Sequence, residues 1–262
     1  MVKIALPVSH HFQADARPAT RLPDLADVLE YKNTKKTQAL PKKPAVFHWN
    51  RGLVQENFRS AFFEENLPEF LAAIEAELFS FDLGPACRKN QYVLPLSPTL
   101  DQEDLKTEFA RSLDLVRKHY SGPLAAENYN YYPTGLYEHI CRPDFIAASL
   151  IEFDLGLILD LAHAWVSAVN LGLTVADYLA ELPLEKVREI HLSRPYFHPR
   201  TAVDAHQAPE TEDFALLSFT LGLLPHPRNV LVAIEYYQDL PRLEQAYLTL
   251  NDLLSKFGRK SP

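Results

Sequence analysis

The 262-residue chain predicts an α/β fold, a single (β/α)8 barrel over residues 1–262 whose first two units are irregular. Three observations carry that prediction. Eight short apolar or β-branched runs recur along the chain. Most are separated by stretches with apolar residues at three- and four-residue spacing. The runs are also nearly continuous in apolar character, as strands buried on both faces of a parallel sheet are. Eight such units close most naturally into a barrel. A doubly wound open sheet is the alternative, but no glycine-rich phosphate loop follows the first run, and the chain has only eight glycines.

The elements follow in order. "KIALPV" (3–8) is expected as a first strand, since the N-terminal stretch lacks the cleavage site of a signal peptide. "DVLEY" (27–31) supplies the second. Residues 9–26 and 32–44 are polar, carry proline and lysine, and lack helical periodicity, which makes these two units irregular. "AVFHW" (45–49) and "LFSFDLG" (78–84) are the third and fourth strands, with the helical "NLPEFLAAIEAEL" between them. "DLKTEFARSLDLVRKHY" then leads to "LAAENYNY" (124–131), and "LGLILDLAHAW" (155–165) is the sixth run. "TVADYLAEL" precedes "REIHLS" (188–193), and "DFALLSFTLGLL" precedes "VLVAIEYY" (230–237). "DLPRLEQAYLTLNDLLSKFG" is a closing helix with Gly258 as its stop.

Composition narrows the function. Hydrophobic residues at 47% and charged residues at 23% can fill a large core. A net charge of −8, with no stripe of Lys and Arg, argues against nucleic acid as a partner. No apolar run reaches membrane-spanning length, so no membrane partner is expected. Cys87 and Cys141 fit neither a disulfide framework nor a zinc ribbon, and a reduced cytoplasm is the expected compartment. Metal ligation therefore falls to His, Asp and Glu, a donor set suited to iron, manganese or zinc.

In a barrel, polar side chains at the carboxyl ends of strands point into the mouth, where active sites form. The third run ends in His48 and the fourth carries Asp82. The fifth has Glu127 and Asn128, and the sixth, after "LGLIL", ends in Asp160 with His163 three residues on. The seventh has His191, the loop beyond it Asp204 and His206, and the eighth Glu235. Each has a simpler reading alone: a hydrogen-bonded structural histidine, an aspartate capping the next helix, or an aspartate forming a turn. Together, six like-placed groups would crowd unpaired acids into one pocket, and multivalent cations are the simplest compensation. Arg194, Tyr129, Tyr131 and Tyr132, near the same end, are candidates for positioning a substrate carboxylate or peptide backbone, the tyrosines having packing as the alternative. His10 and His11 lie just past the first strand, within possible reach of the pocket. His119, His139 and His226 read as structural, and His198 in "PYFHPR" as part of a proline-fixed loop.

The motifs "AENYNYY", "LGLILDLAHAWVSAVNLG", "LPLEKVREIHLS", "TAVDAH" and "VLVAIEYYQDLPRLEQ" resemble the multinuclear non-haem iron-dependent oxidases, within the xylose-isomerase-type TIM barrels. Members of that family act in methanobactin and related peptide biosynthesis. The resemblance is strongest over about residues 120–250; residues 1–110 match loosely through His48. It implies two or three iron ions held by His48, Glu127, Asp160, His163, His191, Asp204, His206 and Glu235, with Asn128 a supporting residue or weak ligand. It also implies O2 activation by a mixed-valent iron pair to oxidise a peptide side chain, often cysteine, the peptide being delivered by a separate partner protein.

Departures accompany it. Phe81-Asp82-Leu83 stands where the family usually reads Glu-His-Leu, so Asp82 replaces a histidine ligand or the ligand is missing. Ala162 and His163 stand in place of two asparagines. Ser193 and Arg194 replace a glycine, and Gln207 replaces the glycine after D-x-H. Rival readings on the same barrel are a zinc- or manganese-dependent hydrolase or sugar isomerase, and a non-catalytic barrel that binds metal or peptide. Against the isomerase stands the lack of an evident lysine close to the ligand motifs.

Overall fold

A computed structural model describes residues 1–12, 20–35, 40–199, 201–227 and 229–259. Eight parallel strands form a closed barrel: β1 (Lys3–Val8), β2 (Val28–Tyr31), β3 (Ala45–Gly52), β4 (Phe79–Asp82), β5 (Leu124–Glu127), β6 (Gly156–Asp160), β7 (Val187–Leu192) and β8 (Leu231–Ile234). Closure comes from β1 pairing with β8, Ile4 opposite Val232, and with β2, Leu6 opposite Leu29. Helices α1 (Leu22–Leu25), α2 (Phe58–Glu64), α3 (Leu67–Ala73), α4 (Gln102–Arg117), α5 (Pro143–Glu152), α6 (Leu161–Leu171), α7 (Val175–Ala180), α8 (Thr211–Leu223) and α9 (Leu240–Ser255) connect and cover them. The irregular first units are as expected where they are described: a 3-10 turn at His10–Phe12 and the four-residue α1. Residues 13–19 and 36–39 of the stretches expected to be irregular lie outside the described residues.

Two expectations need correction, at the fifth run and after β7. The sixth strand ends in Asp160 as expected, and the rest of the run 155–165 is helical, with α6 beginning at Leu161. The Asp160 side chain accepts from the backbone N–H of His163 at 2.6 Å, so it caps the helix that follows its own strand. The fifth run leaves the sheet after Glu127, before "NYNY". The segment after β7 is an antiparallel hairpin, Arg194–His198 with Thr201–Gln207, rather than a loop. Asn170 on α6 anchors it, accepting from the Ala202 N–H at 2.9 Å and donating to the Ala202 carbonyl at 3.0 Å.

Two shells of side chains fill the molecule. An outer one lies between strands and helices, including Phe47, Phe79, Phe109, Leu159, Ile190, Val232 and Leu250. An inner one, Ala5, Val28, Val46, Leu78, Ala125, Ile158, Leu231 and Ala233, plugs the barrel. Strand side chains repeat on one face every second residue. Two positions beyond this plug the inward residues are therefore Glu30, His48, Ser80, Glu127, Asp160 and Glu235. Gly52 and Gly84 let the ends of β3 and β4 meet at the mouth: a Cβ on Gly52 would lie 2.0 Å from the Gly84 carbonyl oxygen.

Candidate metal centre

The layer above the plug is built of ionisable groups. Glu127 on β5 sits at its centre. Its Oε1 is 2.9 Å from Nδ1 of His191, and its Oε2 is 3.3 Å from Nε2 of His48. The same His48 nitrogen is 3.6 Å from Asp82. On the hairpin, Asp204 Oδ2 lies 2.9 Å from Nε2 of His206 and 3.5 Å from Nε2 of His163. Donor atoms thus converge in overlapping groups: His48 with Asp82 and Glu127; Glu127 with Asp160, His191 and Glu235; and His163 with Asp204 and His206. A fourth, Glu30 with Glu189 and His191, lies deeper in the barrel. All eight residues expected as ligands enter these groups, and so does Asp82.

The histidines are oriented by what their second nitrogens touch. Nδ1 of His48 is 2.9 Å from the Ser80 hydroxyl, which donates in turn to the Phe47 carbonyl at 3.5 Å. That chain makes His48 Nδ1 the donor and leaves Nε2 a lone pair facing Glu127 and Asp82. Nδ1 of His163 is 2.9 Å from the Asn128 carbonyl, an acceptor only, so Nε2 is again the nitrogen aimed at the carboxylates. Anchoring one ring nitrogen to fix the other is how metal-binding histidines are set. His191 differs. Both its nitrogens face carboxylates, Nε2 lying 3.1 Å from Glu30.

Burial and charge set the protonation states. Burial raises the Glu127 carboxyl, but His48 and His191 outweigh it and hold the group well below its usual range. Burial and the neighbouring Glu127 push Asp82 well up. Burial lifts Asp160 to about 6, and its Oδ2 has no partner although the residue is fully buried. Burial opposes the charge on His206, yet Asp204 and Glu235 raise it to about 9. A cavity of about 270 Å³ opens above these groups, lined by Asn50, Gln55, Tyr129 and Asn130 besides ligand candidates. Its size is near the lower end of small-ligand pockets, roughly 300–1,000 Å³.

Other expectations fall differently. Asn128 is spent on scaffolding: its side chain accepts from Asp160 N at 2.8 Å and donates to the Asp160 carbonyl at 3.0 Å, tying β5 to β6. Arg194 is engaged by Asp213 and Glu212, each at 3.0 Å, at the start of α8. Tyr129 lines the cavity, stacked on Tyr137, whereas Tyr131 donates to Glu138 and Tyr132 accepts from Asp204 N at 3.0 Å. His11 contacts the Tyr237 carbonyl, His119 packs on Phe62 and Phe63, and His198 and His226 are exposed.

The sequence reasoning missed Glu30, Lys32 and Ser80. Glu30 was signalled by a carboxylate inside the apolar run "VLEY", which must be paired when buried. Lys32 also corrects the expectation that no lysine lies near the ligand motifs. Its ammonium contacts Glu235 and is 2.9 Å from Glu30.

A profile of the family described as RiPP precursor modification enzyme MbnB/TglH/ChrH matches residues 56–253. A UPF0276 protein of Bordetella pertussis is 30% identical over 139 residues, 51% of this chain and 48% of that protein; the chain spans about half the length of the curated relatives it matches. Among solved structures, the apo form of the 3-keto-D-glucoside 4-epimerase YcjR from E. coli superposes with a TM-score of 0.65 at 14% identity, covering 97% of this chain and 100% of that one. Endonuclease IV from Thermus thermophilus gives 0.62 at 17%, covering 97% and 99%. Those two likenesses establish the barrel. The profile match, running through every strand from β4 to β8 and most of the donor groups they carry, establishes more: the chain belongs to the RiPP precursor modification enzyme family MbnB/TglH/ChrH.

Proposed function

We propose that the chain is a metal-dependent oxidase that modifies a side chain of a precursor peptide, cysteine being the expected target, using two or three iron ions at the barrel mouth. The ligand set is His48, Glu127, Asp160, His163, His191, Asp204, His206 and Glu235, with Asp82 completing the group around His48. The observation that carries the reading is the convergence of His48 and His163, each aimed by a neighbour, on carboxylates that other imidazoles share. Nitrogen and carboxylate donors without thiolate suit Fe(II), as they do Mn(II) and Zn(II). Bound iron would supply one-electron chemistry and a position for O2.

The chain's own residues then have defined work. Asn50, Gln55 and Asn130 offer amides to a peptide entering the cavity, and Tyr129 offers an aromatic wall. Arg194, already held by carboxylates, contributes to the hairpin rather than to substrate. The cavity admits one side chain and not a folded domain, which fits a peptide substrate presented by a separate partner protein. The acidic mouth and the net charge of −8 disfavour a phosphate backbone.

The test is anaerobic purification, metal analysis with Mössbauer spectroscopy, and O2 consumption with the precursor peptide. Two or three irons per chain, lost on Glu127→Ala or His163→Ala, support the reading. Stoichiometric zinc or manganese that iron cannot displace would move the assignment to a hydrolase or sugar isomerase. Lys32 beside the carboxylates is the observation favouring that second reading. Absence of any tightly held metal would sink both.

A further inference from the structure

The mouth contains a cation of its own. Lys32 stands two residues past Glu30, where β2 gives way to the following loop, with its side chain 11% exposed. Its Nζ touches Glu235 Oε1 and lies 2.9 Å from Glu30 Oε1. The Tyr237 hydroxyl donates to the same Glu235 oxygen at 3.3 Å, and Nδ1 of His191 is 3.5 Å from it. Glu235 Oε1 therefore already has three donors around it.

The donor groups are not equivalent in this respect. The groups His48–Asp82–Glu127 and His163–Asp204–His206 line the open cavity, and no ion pair joins Lys32 to Asp82 or Asp204 among the described residues. The group Glu127–Asp160–His191–Glu235 reaches that cavity through Glu127 and Glu235 but is otherwise closed off, with His191 fully buried and both of its ring nitrogens facing carboxylates. A nitrogen hydrogen-bonded to a carboxylate must lose that proton before it can bind a metal ion.

We propose that Lys32 is the resident cation of this inner group, taking the place a third metal ion would otherwise fill, so that the mouth holds two ions, one at each outer group. The proposal rests on the metal-centre reading above and narrows it. Two arguments support it. First, a divalent ion bound through Glu235 Oε1 would share that oxygen with an ammonium, and like charges so close repel strongly in a site this dry. Second, the inner carboxylates already have a counter-charge: Lys32 pairs with both Glu30 and Glu235, so a third divalent ion would add positive charge where an ammonium already stands. Lys32 also ties Glu235 to Glu30 and so spans the gap in the barrel rim between β8 and β2.

The experiment is anaerobic loading of the full chain with Fe(II) alone, removal of loose iron, and measurement of iron per chain with Mössbauer spectra. Wild type should retain about two, Lys32→Arg about two, and Lys32→Met about three, with a new quadrupole doublet in the Met variant. Circular dichroism checks folding; if Lys32→Met does not fold, Lys32→Gln makes the same comparison. A wild-type chain that retains three irons overturns this proposal while leaving the metal centre standing. So does a folded neutral variant that still retains two. A wild-type chain that retains none overturns both.

Discussion

Along five strands of one barrel, residues two positions apart have opposite characters. The lower set includes Val28, Val46, Ala125, Ile158 and Ala233; the upper set is Glu30, His48, Glu127, Asp160 and Glu235. Both sets are buried and both point inward. The lower one stabilises by removing apolar surface from water, roughly 25 cal/mol per Å². The upper one costs free energy, because buried charges recover through pairing only part of what desolvation takes. Burial is thus one structural fact with two energetic meanings, and the upper layer is explained by what it holds rather than by what it stabilises.

The comparison breaks most readily at Glu127. Glu127→Ala strips His48 and His191 of their shared partner and should destabilise the metal-free protein by about 3–5 kcal/mol. It should also reduce retained metal to less than one ion per chain, as metal analysis and denaturant titration would show. A variant that kept its metal would mean that the groups are not coupled through this carboxylate.

Ile158→Ala, two residues below Asp160, should cost about 2–5 kcal/mol through cavity formation. Metal content should stay at the wild-type level, since the lower layer donates nothing. Loss of metal at unchanged stability would erase the distinction between the layers.

A smaller effect sharpens the upper layer by pH. His206 is raised to about 9, so in the metal-free protein its stabilising contribution is complete below the ordinary histidine pKa and is lost as pH rises through about 9. A metal ion must displace that proton. Affinity should therefore climb with pH, by about tenfold per unit for each proton displaced, until it levels near 9. Calorimetric titrations from pH 6 to 9 in two buffers of different ionisation enthalpy would count the protons.

A second pH-dependent effect is expected at Glu189, which is fully buried with neither carboxylate oxygen partnered. Burial and nearby Glu30 raise it to about 8, so its contribution is complete below the ordinary glutamate pKa and disappears as pH rises through about 8. Glu189→Gln removes that dependence. Chelator-treated variant and wild type should melt alike at pH 5 and diverge in the variant's favour at pH 9.

The barrel was legible because parallel strands buried on both faces are short apolar runs, and each of the eight stands out in the chain. The ligand candidates were legible for a related reason: an ionisable residue closing an apolar run has few structural excuses. Asp160 was ambiguous between cap and ligand, and one oxygen does cap α6 while the other faces the donor group. The end of β6 was legible from Asp160 closing "LGLIL", although α6 beyond it is apolar on nearly all sides. The hairpin at 194–207 was hidden by Pro195 and Pro199, which are turn signals by local chemistry, while its anchor Asn170 lies far away in sequence. Glu30 and Lys32 escaped because β2 is only four residues long and opens into an irregular stretch.

Asp160 divides its labour between two oxygens, and this bears on how the centre is filled. Oδ1 is fixed by the His163 N–H, and the backbone of Asp160 is clamped by Asn128. The rotamer of this donor is thereby settled when the chain folds, before any cation arrives. Little conformational entropy is left for Asp160 to lose, so whichever cation neutralises its free oxygen meets a donor already oriented. The rigid β5–β6 edge acts as a template, and whatever adjustment loading requires falls to the hairpin side, where His206 holds a backbone φ of +42°.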